Sequence, residues 1–130
     1  MSATAESAAN DTIRSFEIEM TQARTTHAPL IAELEAELIG VSYEESDAFR
    51  EFTDDVFSNL GAEAANQCES SSDQDAAIGR VESFVSSTIA ADAMSLVVAC
   101  VSFNGPEQGA ALINRMVSES PLRVEFGAGR

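Results

Sequence analysis

Two pairs of carboxylates stand four residues apart, Glu33 with Glu37 and Glu51 with Asp55. On a helix that spacing sets both acids on one face. Such a pair can move protons for a substrate when burial drives the two pKa values apart. Left in water, the same pair is a solvated surface, at about a few tenths of a kcal/mol in mutual repulsion. Glutamate is rarely buried without a partner, so the solvated reading is preferred. An enzyme built from this chain would need Glu33, Glu37 or Glu45 in a closed apolar pocket with a raised pKa.

The other reactive side chains lead to the same place. Cys68, Cys100 and the single histidine, His27, could form a thiolate–imidazole couple, but neither cysteine has a recognisable nucleophile context. Cys100 lies in the most apolar segment and reads as an inert core thiol. Cys68 follows the alanine-rich end of a helix and reads as the more exposed thiol, with no nearby cation to lower its pKa. One histidine excludes a multi-histidine metal centre. A carboxylate-bridged dimetal bundle would need Glu-x-x-His, and position 24 is Arg24. Asp73-Gln-Asp75 opens like a calcium loop, but Ile78 and Phe84 stand where the loop requires glycine and glutamate. All seven basic residues are arginine, which excludes a P-loop lysine, a Schiff-base lysine and a Ser-x-x-Lys nucleophile. No catalytic residue, metal ligand or cofactor site is assigned, and a non-enzymatic protein is expected.

Charge narrows the partners. The formal net charge is −15 and the sequence pI about 4.1. Binding nucleic acid requires basic groups that displace condensed counterions, so direct nucleic-acid binding is not expected. Anionic membrane surfaces are disfavoured in the same way. Three readings of the acidity stay open: a solvated surface, a face that meets a basic protein, and adaptation to a high-salt environment. The excess is uneven. Residues 1–65 hold most of the acids against only Arg14, Arg24 and Arg50, and the stretch from Glu33 to Asp55 has Arg50 alone to offset it. A cationic partner would be oriented toward that half.

The chain has 130 residues, the size of one domain, and 45% apolar content, enough for a core. The amino terminus has no basic and apolar leader pattern, and the longest nearly apolar run, Leu96 to Phe103, is too short to span a bilayer. A cytoplasmic protein with two free thiols is therefore expected.

The periodicity predicts helices. Residues 1–10 read as a flexible lead-in, residues 11–126 as one helical domain and 127–130 as a flexible tail. Ile13, Phe16, Met20 and Ala23 have helical spacing from Asp11 onward. Residues 24–28 read as a break, followed by a second helix over 29–39 that opens on Pro29 and stops at Gly40. Ser42-Tyr-Glu-Glu45 has the form of a capping box for a third helix. Its Phe49, Phe52, Val56 and Leu60 fall within about 80° of arc, with Glu44, Asp47, Glu51, Asp54 and Asp55 on the opposite side. Residues 69–74 read as a loop, and a fourth helix follows from Asp75.

Residues 93–103 are apolar nearly all round, which fits a central helix begun by Asp92 or a buried strand. Asn104-Gly-Pro106 is a turn, a sixth helix covers 107–118, and Leu122 to Phe126 could form a short strand. Asn104 to Pro121 is similar in length and terminal proline to the second helix of a tetratricopeptide hairpin. Ala93 and Val97 replace that family's tryptophan and glycine, so the reading is a helix hairpin alone.

The expectation is an all-α domain of five or six short helices, with an α+β alternative pairing strands near 96–103 and 122–126. Phe16, Phe49, Phe52, Phe57 and Phe84 form an apolar seam whose simplest role is core. Phe57 lies to one side of that seam and is the candidate apolar contact. The function expected is an acidic interaction module, an adaptor, chaperone or inhibitor. It would dock a protein partner, a basic one in the simplest case, through the seam, with Glu44, Asp47, Glu51, Asp54 and Asp55 as a steering face. The alternatives are a subunit of a homo-oligomer and a protein whose acidity is environmental.

Overall fold

The computed structural model describes residues 4–120, and every regular element among them is helical. Six α-helices follow in order: α1 Ala5–Thr26, α2 Ala28–Glu37, α3 Asp47–Ala65, α4 Ser71–Phe84, α5 Ala93–Asn104 and α6 Pro106–Glu119. A single 3-10 turn, Tyr43–Glu45, leads into α3, and a π turn, Val85–Ile89, continues α4.

Local chemistry accounts for most of the boundaries. α1 begins earlier than the expected lead-in allows. Thr4 accepts a hydrogen bond from the Ser7 N–H, Glu6 sits in the positive first turn, and Ala8 and Ala9 are wholly buried. His27 closes α1 through its N–H on the Ala23 carbonyl and opens α2, whose first turn holds Pro29. Gly40, at φ +74°, supplies the left-handed turn that ends this region.

The expected capping box is displaced. The Ser42 side chain makes no cap bond; Ser46 is the N-cap of α3 and accepts from the Phe49 N–H at 3.1 Å. Likewise α4 starts at Ser71, capped by Ser70, so much of the expected loop over 69–74 is helix.

α5 occupies the centre. Leu96 through Val101 are all buried, and α1, α2 and α6 lie against it. Asp92 caps it by accepting the Ser95 N–H at 2.8 Å. An apolar surface on every side requires cover on every side, which this bundle supplies with helices. The α+β alternative is thereby corrected: residues 96–103 are helical, and the companion strand at 122–126 lies outside the described residues, as does the tail at 127–130.

α6 folds back on α5 through Gly105, at φ +87°, and Pro106. The two helices touch at Gly109. A Cβ there would stand 2.9 Å from the Val101 Cα and 3.0 Å from the Cys100 carbonyl oxygen. The absence of a side chain at Gly109 is what permits this approach.

Aromatic rings tie the other helices together. Phe16 of α1 meets Phe84 of α4 and Phe103 of α5, with centroids 6.4 and 6.3 Å apart. Phe103 in turn meets Phe52 of α3 at 6.1 Å. All three contacts are edge-to-face, the arrangement the ring quadrupoles favour.

Candidate functional site

α3 presents two opposite surfaces. Inward, Phe52, Val56, Leu60 and Ala64 are buried, with Phe52 only 2% exposed. Outward, Asp47, Glu51, Asp54 and Asp55 are all exposed. Asp47, Glu51 and Asp55 follow at intervals of four and so form one ridge, with Asp54 beside it. Glu44, expected on the same helix, is exposed on the preceding 3-10 turn.

The apolar seam lies largely inside the bundle. Phe16, Phe52 and Phe84 are buried against other helices of the chain, and Phe49 is half-buried against Tyr43, ring centroids 5.8 Å apart. In this structure these phenylalanines pack the interior between α1, α3, α4 and α5. Phe57 remains half-buried, and its ring and the Ile78 side chain both border the space a side chain at Gly61 would enter. Phe103, which the sequence pattern left within the apolar run, joins α1 to α3; only its position relative to the other helices reveals that role.

Arginines neutralise part of the ridge. Arg50 pairs with Asp47 one turn away. Arg115 of α6 reaches Glu51 at 3.5 Å and Glu119 at 3.2 Å. Both carboxylates hold the Arg115 guanidinium above its ordinary pKa, Glu119 most strongly. Asp54 and Asp55 have no ion-pair partner among the described residues.

The start of α3 is stitched to the end of α6. The Ala48 N–H donates to Glu119 Oε1 at 2.8 Å, and the Ser42 N–H donates to Ser120 Oγ at 3.0 Å. A carboxylate from a distant helix thus satisfies an orphan amide at the positive end of α3. The Ala48 amide, with Arg115 behind it, holds the Glu119 carboxyl below the usual carboxylate range. Sequence spacing carries no signal for this contact, because the partners are far apart along the chain.

Beside this junction runs a cleft of about 210 Å³ between α3 and α6. Ala111 and Leu112 line it on the apolar side, with the buried Phe52 beneath, and Glu51, Asp55, Asn104, Gln108 and Arg115 line its polar walls.

The other candidates are dispersed. Glu33, Glu37 and Glu45 are each exposed. Cys68, expected to be the more exposed thiol, is buried at the end of α3, its Sγ 3.8 Å from the Ala64 carbonyl oxygen. Cys100 is buried in α5, and burial pushes its thiol pKa up. His27 is half-buried at the α1–α2 joint. Among the described residues, no three His, Cys, Asp or Glu side chains are grouped to hold a metal ion. No single helix there is long and apolar enough to cross a membrane. No protein-family model, curated protein or solved structure matches the chain.

Proposed function

We propose that this protein is a non-enzymatic interaction module, an adaptor, chaperone or inhibitor, that meets a basic protein through the outer face of α3. The observation that carries the reading is the division of that helix. Its apolar side is consumed by the core, while Asp54 and Asp55 stand exposed and unpaired among the described residues. Unpaired carboxylates on a rigid helix steer a cationic surface and repel an anionic one. They also give the complex a strong dependence on ionic strength.

The test compares two charge reversals of equal size. Asp54→Arg with Asp55→Arg alters the proposed face; Glu17→Arg with Glu19→Arg alters exposed acids on α1. Binding of a tetra-arginine peptide is measured for both. A larger loss for the α3 variant supports the reading. Equal losses would reduce the acidity to a general solvated charge and overturn it.

Self-association has one observation in its favour, the exposure of Ile39 at 78% and Ile18 at 52%. Single exposed apolar residues are ordinary on monomers, so this reading stays second. Light scattering in about 0.1 M and 2 M salt, where screening lengths differ severalfold, decides it by mass.

A further inference from the structure

We draw no further inference here: the strongest candidate, the cleft of about 340 Å³ where α1 meets α4 and its π turn, sets Arg80 beside Asn10, Ser83, Ser87 and Thr88 on a largely exposed surface, and nothing in the structure shows what would occupy it.

Discussion

α5 and α3 are helices of the same bundle, yet the middle of one has no outside and the other has two distinct sides. From Ala93 to Asn104, α5 carries no charged residue, and its middle is buried all round. α3 places Phe52, Val56, Leu60 and Ala64 inward, and Asp47, Glu51, Asp54 and Asp55 outward. The contrast separates two kinds of constraint. Every position from Leu96 to Val101 answers to packing, whereas half of α3 answers to the core and the other half to solvent and a few surface ion pairs. The outward side of α3 lies outside the core, so packing constrains it far less than the inward side.

Substitutions within α3 and at the α5–α6 contact test this contrast. The largest expected effect is Phe52→Ala, which removes a ring packed against Phe103. It should cost about 3–5 kcal/mol in urea unfolding, a large part of the stability of an ordinary domain. A cost near zero would mean that the inward face of α3 is not the core element described.

Next comes Gly109→Ala, which forces a Cβ into the α5 backbone. Helix propensity favours alanine by about 1 kcal/mol, but overpacking should prevail, with a net loss of about 1–3 kcal/mol. A stabilised variant would show that α5 and α6 sit farther apart.

Ser46→Ala removes the cap on α3 and should lower stability by about 1 kcal/mol, while Ser42→Ala should stay within about 0.5 kcal/mol. The reverse order would restore the capping box at Ser42.

Glu119→Gln tests the stitch between α6 and α3 through its pH dependence. The carboxyl is held below its ordinary pKa, chiefly by the Ala48 N–H. Its stabilisation is therefore complete above the unfolded-state value and fades as pH falls through the lower folded-state value. The variant should melt below the wild type at neutral pH. The gap should close on acidification through the carboxylate range; a gap independent of pH would assign the loss to packing.

The smallest effect is expected for Asp54→Arg with Asp55→Arg, within about 0.5 kcal/mol per site by thermal melting. Set beside Phe52→Ala, it measures directly how differently the two sides of one helix are constrained.

Much of this architecture is readable along the chain. Pro29, Gly40, Asp92 and the Asn104-Gly-Pro106 turn mark boundaries through local rules that hold whatever the surroundings. The misreadings also have local causes. Ser42 and Ser46 both precede an acidic, apolar-periodic segment, and only the 3-10 turn between them decides which serine caps α3. Thr4 and Glu6 carried the signal for the early start of α1, but the small residues around them resemble a frayed terminus. The buried alanines, Ala8 and Ala9, have meaning only beside a neighbouring helix.

The candidate site divides in the same way. Its acidic ridge follows from spacing alone, since residues four apart share a helix face wherever the helix lies. So do the absence of lysine and the lone histidine, which exclude whole classes of chemistry before any fold is known. Tertiary structure decided that α5 is a helix, because an all-apolar segment takes whichever form its surroundings can cover. It also decided that the phenylalanine seam is interior, that Arg115 reaches Glu51, and that Glu119 caps a helix far away in sequence. Those facts depend on which surfaces meet, and a one-dimensional pattern records what each surface is made of without recording what lies across from it.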